Sequence, residues 1–414
     1  MRLVVVCPHF EPDVAPTGAV VTRLVEELAR RGHILEVVTS LPWYRHHRVE
    51  QPFAGRLVRH EDTPWGHITR IHPFPTVDKR NLFGRALAFA GFSLLAGVLG
   101  ARGARADGVL AVSPPLTLGL AGWAAARARH APLVFNVQDV YPDVAVELGM
   151  LTNRRLVTAA RRLESLCYER ATAVTVLSDD LRDNVGAKLS HKEKVRVIPN
   201  FVDTEWIQPG GRDNEYRREH GLTEKFVVMY AGNVGLSQPL DLVLEAARAF
   251  VDEPDVAFVI NGQGAGRATL EARAAGLGNL SFVDMQPPER LPELLAAGDV
   301  HLVLLRRGLA RASVPSKTYS ILAAGRPLVA SVDGGTEVAR IVEGAGAGIA
   351  VPAEDSAALI EALARLVSKR EEAAAMGLAG RAFVESWASP AVVAEAYEAL
   401  FCELGRATID TATS

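Results

Sequence analysis

Residues 2–40 read RLVVVCPHFEPDVAPTGAVVTRLVEELARRGHILEVVTS. Arg2–Cys7 is a short β-branched run, the composition of a strand buried on both faces. Pro8 to Gly18 is dense in helix and strand breakers and predicts a loop. From Ala19 to Arg31, Val21, Leu24, Val25 and Leu28 recur at helical spacing and predict one apolar helix face. Gly32-His33 ends that helix, and Leu35–Ser40 predicts a second strand. Strand, loop, helix and strand in this order begin a doubly wound, parallel α/β sheet. No G-x-G-x-x-G follows the first strand, which argues against a dinucleotide site of that type. Gly18 falls at the helix start, where a backbone can approach a phosphate; the alternative is a glycine that only serves the turn.

The same alternation continues outward. Residues 41–67 are polar, hold Trp43, Tyr44, His46 and His47, and predict a long loop. Leu82–Gly100 is apolar and predicts a helix that is either core or laid on a membrane surface, with Lys79, Arg80, Arg85, Arg102 and Arg105 nearby. Further strands are expected at 108–113, 132–139, 173–178 and 195–200. Asp139 ends one of them, where ligands of such sheets gather; an Asx-type turn cap is the other reading. A second α/β series runs from Phe226 to Val351. The domains expected are 1–205, a linker at 206–222 around Pro209-Gly-Gly211, a second domain at 223–388, and a final amphipathic helix and tail at 389–414 that packs back on the body.

A chain of 414 residues accommodates two such domains. The net charge of −3 gives no argument for nucleic acid, but residues 1–205 carry +5 and the remainder −8. The basic half suits an anionic surface or a phosphorylated substrate. Cys7, Cys167 and Cys402 are few and far apart, which suits a reducing cytoplasm and no metal site. The opening apolar run is too short for a secretory leader, so a cytoplasmic location is expected.

In the second series three strand ends carry glycines: Ala231-Gly-Asn-Val-Gly235, Asn261-Gly-Gln-Gly264 and Asp333-Gly-Gly-Thr-Glu337. Val314-Pro-Ser-Lys317 then opens a short helix that Gly325 and Pro327 close, with Ser316 as the expected N-cap. Lys317 lies in the first helical turn, where the dipole disfavours a cation unless an anion binds there. Gly262, Gly264, Ser316, Lys317 and Glu337 together predict a pocket for a nucleotide diphosphate.

At these residues the chain resembles the retaining GT-B glycosyltransferases of family 4, in the bacterial polysaccharide branch of colanic-acid and O-antigen sugar transferases of the fucosamine-transferase type. The resemblance spans nearly the whole chain. It is carried by Pro12–Gly18, Arg31-Gly-His33, Asp139-Val-Tyr-Pro142, Val197-Ile-Pro-Asn-Phe-Val-Asp203, Tyr230-Ala-Gly-Asn233, Val314-Pro-Ser-Lys317 and Ala323-Ala-Gly-Arg-Pro327. It implies two Rossmann-like domains facing a cleft, the first binding the acceptor and the second the donor. The wider family holds the donor diphosphate with an Arg and a Lys; here those positions fall at Asn233 and Gln238. Its two glutamates fall at Ala312 and Ser320. Lys317, with Arg306, Arg307 or Arg311, is expected to replace the missing charge.

The activity implied is transfer, with retention, of a sugar from a UDP- or GDP-linked donor to a glycan or polyprenyl-diphosphate-linked acceptor. It would proceed without metal or cofactor, at the inner face of the cell membrane. Lys317 would stabilise the leaving group and Asp139 would act as base or position the acceptor. Two other readings are a nucleotide-sugar 2-epimerase and a non-catalytic nucleotide-sugar-binding subunit. The first needs a carboxylate and His cluster; the second is suggested by the lost Arg, Lys and Glu positions.

Overall fold

The computed structural model describes residues 1–75, 82–235, 237–309 and 315–413, without the side chains of 82–83, 85–86 and 407–413. The chain forms two units, Met1–Asn200 with Pro390–Ser414, and Phe201–Ser389.

In unit 1 the order is β1 (Arg2–Val6), α1 (Pro16–Arg30), β2 (Ile34–Ser40), β3 (Val58–Thr63), β4 (Gly66–Ile71), α2 (Leu82–Gly100), β5 (Gly108–Ser113), α3 (Leu118–Ala128), β6 (Leu133–Val137), α4 (Asp143–Glu147), α5 (Arg154–Arg170), β7 (Ala173–Val176), α6 (Asp179–Gly186) and β8 (Val195–Val197). The sheet order is β3-β4-β2-β1-β5-β6-β7-β8, parallel except for β3 against β4. The strand order reverses beside β1, whose neighbours are β2 and β5. That is the switch point at which doubly wound sheets bind ligands. α1 buries Val21, Leu24, Val25 and Leu28, as their spacing predicts. Each such side chain contributes about 1.5–3 kcal/mol on burial.

The stretch read as one long loop instead contains β3 and leads into β4. β3 (VRHEDT) is polar and lies at the sheet edge, so it shows no apolar alternation. α2 buries Phe92, Ala96 and Gly100 but leaves Leu87, Leu94 and Val98 exposed. It is therefore a core helix on one face and carries an apolar stripe on the other. Among the described residues no helix is long and apolar enough to cross a membrane.

Unit 2 runs α7 (Glu215–Glu219), β9 (Phe226–Ala231), α8 (Asp241–Ala249), β10 (Val256–Asn261), α9 (Arg267–Arg273), β11 (Leu280–Val283), α10 (Leu291–Ala297), β12 (Val300–Leu304), α11 (Lys317–Ala323), β13 (Leu328–Val332), α12 (Glu337–Gly344), β14 (Gly348–Pro352), α13 (Ser356–Ser368) and α14 (Arg370–Trp387). Its sheet is wholly parallel in the order β11-β10-β9-β12-β13-β14, with the switch point between β9 and β12. The expected linker at 206–222 is not free chain. It contains α7, and Tyr216 and Arg217 are wholly buried. Arg217 donates to the carbonyls of Ala297 at 2.8 Å and Lys225 at 3.0 Å and pairs with Asp299, so a polar-looking stretch is anchored from within.

The last helix, α15 (Pro390–Thr413), belongs to unit 1. Tyr397 Oη accepts from Asn136 Nδ2 at 2.9 Å, and a Cβ on Gly108 would lie 2.3 Å from the Phe401 ring. The missing side chain at 108 is the seat of Phe401.

Candidate donor and acceptor sites

The unit 2 site is built on the loop after β9. Gly232 has φ +139°, a conformation that L side chains rarely adopt. Its N–H donates to Asn261 O at 2.9 Å, and the Val234 N–H donates to Gln263 O at 2.9 Å, so the loops after β9 and β10 are laced together. They approach so closely that a Cβ at Gly262 would lie 1.8 Å from Gly232 O, and one at Gly264 would lie 2.2 Å from Val234 O. Gly262 and Gly264 thus shape the site through backbone packing.

Beneath this loop lies Lys317. Its Nζ stands 3.7 Å from the centre of the Tyr230 ring, and a Cβ at Gly232 would come within 3.0 Å of it. The ammonium is shielded from solvent and has no hydrogen-bond partner among the described residues. Burial lowers its pKa to about 7. The ring face offsets part of the desolvation cost, as cation–π contacts do. Tyr230 is itself fixed, donating its hydroxyl to Asn233 O at 2.6 Å.

Around this centre, Asn233 and Gln238 both approach Gly235, and the buried Gln238 Oε1 has no partner among the described residues. The Arg306 N–H donates to Ser237 O at 3.1 Å, and the Gly308 N–H donates to Asp333 Oδ2 at 2.6 Å. Arg307 donates to Ala353 O at 3.1 Å. Glu337, in the first turn of α12, pairs with Arg340 at 2.8 Å. Ser320 lies in α11, one turn beyond Lys317. Arg311 and Ala312 lie outside the described residues.

One expectation is corrected here. Ser316 precedes α11, but its side chain caps nothing. Its backbone is already helical, φ −58° and ψ −27°, whereas an N-cap oxygen reaches the N3 amide from an extended backbone.

Gly18 and Asp139 belong to unit 1, and the residues described above belong to unit 2. Gly18 is in the first turn of α1, where a Cβ would meet the His9 Cβ at 2.9 Å. It lets the helix pack beneath His9. Asp139 follows β6, in a segment where Gln138 donates to Asn136 Oδ1 at 2.6 Å and accepts from Asn200 at 2.7 Å. The sequence reading missed the group at the unit 1 switch point. His9 Nδ1 lies 2.7 Å from Oδ2 of the buried Asp13, and the ring stacks on Trp43 at 5.7 Å. The other Asp13 oxygen accepts from the Tyr44 N–H at 3.0 Å. The i,i+4 spacing of His9 and Asp13 in the loop after the first strand was the available signal. Among the described residues no three His, Cys, Asp or Glu side chains are grouped as a metal ion requires.

Two doubly wound units, each with polar side chains or glycine turns at its switch point, are the GT-B architecture. The fold is shared with sucrose-phosphate synthase from Thermosynechococcus elongatus, at TM-score 0.76, 18% identity and coverage of 98% of this chain and 100% of that one. It is also shared with HepE of Anabaena, solved with UDP-glucose, at TM-score 0.70, 14% identity and coverage of 97% and 100%. The Glycosyl transferase 4-like domain family matches residues 17–200, and Glycosyl transferases group 1 matches residues 212–383. The putative colanic acid biosynthesis glycosyl transferase WcaI of Escherichia coli is 29% identical over 83% of this chain and 86% of its own. The probable glycosyltransferase WbjE of Pseudomonas aeruginosa is 30% identical over 72% and 74%. The chain belongs to the family 4 glycosyltransferases of bacterial polysaccharide biosynthesis.

Proposed function

We propose that this glycosyltransferase takes its sugar from a UDP- or GDP-linked donor held in unit 2, and that Lys317 carries the charge of the leaving diphosphate. The observation behind this is the buried Lys317 ammonium below the Gly232 loop, unpartnered among the described residues. An unpaired cation in that position is costly until an anion arrives. Cleavage of the sugar–phosphate bond builds negative charge on the leaving oxygen. A fixed cation and backbone N–H groups stabilise that charge more than they stabilise the ground state. We read the reaction as retaining and independent of metal and cofactor. In it the departing phosphate takes the acceptor proton, and Asp139 or the His9–Asp13 pair orients the acceptor. That HepE was solved with UDP-glucose favours a nucleotide-sugar donor.

The acceptor in this reading is a glycan or a polyprenyl-diphosphate-linked sugar. The +5 charge of residues 1–205 and the exposed stripe Leu87, Leu94 and Val98 favour an anionic membrane surface for it. The membrane face would be cytoplasmic. The relatives with printed activities are transferases, which gives the epimerase reading no support.

Thermal unfolding with UDP, GDP, ADP and dTDP tests the donor site. One nucleotide should raise the midpoint of the native chain and do so much less for Lys317→Ala. Absence of a shift with all four, or an equal shift in the variant, would overturn the assignment. The anomeric configuration of the product, followed by NMR, tests retention.

A further inference from the structure

A second group of arginines lies at the other end of the unit 2 sheet, where β9, β12 and β13 begin. A cavity of about 350 Å³ opens there, lined by Arg212, Arg326 and Arg370, by Asp299, and by an apolar wall that includes Phe226 and Leu378. The charges do not balance. Among the described residues Asp299 is the only carboxylate of the lining, and it is already bonded by Arg217 and by Arg212 at 3.1 Å. Among the described residues Arg326 donates to the carbonyl of Gly210, at 2.9 Å, and its buried Nε has no partner. Arg370 has the Phe226 ring, 5.6 Å from its guanidinium carbon, and no ion pair among the described residues. Three guanidiniums therefore line one cavity against the single carboxylate of Asp299, which Arg217 also engages.

We infer that this cavity is a second binding site, for a small molecule carrying a phosphate or diphosphate group. Guanidinium groups match phosphate oxygens in bidentate geometry, and Arg326 is already partly withdrawn from water. The volume exceeds that of an inorganic ion and falls in the range of small-molecule pockets. The apolar wall receives the body that carries the phosphate. Burial lowers the Arg326 pKa against the smaller raising effect of Asp299, and a bound anion would raise it. The site also has a mechanical reach. Arg326 sits in the Gly325-Arg326-Pro327 turn that ends α11, the helix that begins at Lys317. Arg370 begins α14, and a Cβ at Gly377 of that helix would lie 2.1 Å from Gly325 O. An anion bridging Arg326 and Arg370 braces that turn against α14.

The inference does not rest on the donor reading, and one titration separates them. Inorganic pyrophosphate is titrated against the full chain, wild type, Arg370→Ala, Arg326→Gln and Lys317→Ala, with unfolding temperature as the readout. Arg370 is exposed, so its alanine variant keeps the fold even if Arg326→Gln does not. The expected result is a saturable rise that survives in Lys317→Ala and whose apparent affinity falls at least tenfold in Arg370→Ala. A rise lost in Lys317→Ala, an equal rise in Arg370→Ala, or no rise in wild type would overturn the inference.

Discussion

Lys317 is the residue on which charge and burial pull hardest against each other. Its pKa of about 7 lies far below that of a free lysine, because burial penalises the charged form. Between about 7 and the lysine value near 10.4 the unfolded chain binds the extra proton, so this group makes stability rise with pH across that window. Ligand binding runs the other way. A diphosphate selects the ammonium, so its binding draws in a proton when Lys317 is neutral. Nucleotide affinity is expected to fall as pH rises from 7 to 9 in the wild type and to stay flat in Lys317→Met. Calorimetry in two buffers of different ionisation enthalpy reads the proton directly. A wild-type profile as flat as the variant's would show that the ammonium does not meet the ligand. The sequence singled out this lysine from its place at a helix start, but not the ring of Tyr230 on which it rests. No local pattern links positions 230 and 317, which lie in β9 and α11.

At the scale of elements, α2 shows what hydrophobic content alone does not decide. Its apolar residues read the same on paper, yet Phe92 is in the core and Leu94 is 70% exposed. Replacing Leu87, Leu94 and Val98 together by Ser is expected to change stability little, since exposed sites usually move it by no more than about 0.5 kcal/mol each. Sedimentation with vesicles rich in anionic lipid should then drop several-fold. Phe92→Ser should instead unfold the protein. Unchanged sedimentation of the triple variant would remove α2 as the membrane contact. The parallel strands with dense β-branched runs were readable from sequence because burial on both faces leaves little room for polar residues. β3 was not readable, because an edge strand needs only one protected side. The glycines at 262 and 264 were readable as turns, while their closer role, admitting a second backbone, needed the neighbouring loop.

At the scale of the molecule, the division into units follows contacts and not chain order. Residues 1–200 are completed by a helix that comes after the whole of unit 2. Phe401 is 2% exposed and seated on Gly108, so Phe401→Ala is expected to cost about 3–5 kcal/mol. Limited proteolysis of that variant should cut within residues 1–200 first and leave fragments of 201–389 intact. Earlier cleavage of unit 2 would show that α15 does not hold unit 1 together. The expected boundaries placed this helix outside both domains, because amphipathicity shows that a face is buried but not what buries it.

The return of α15 to unit 1 bears on how the protein is made. As the chain leaves the ribosome, residues 1–200 emerge first but lack Tyr397 and Phe401, whose places beside Asn136 and Gly108 stay unfilled. Unit 2 emerges as one continuous segment and has every strand of its sheet before α15 is translated. Unit 1 therefore keeps an apolar seat open until the chain has been extended through unit 2 to α15.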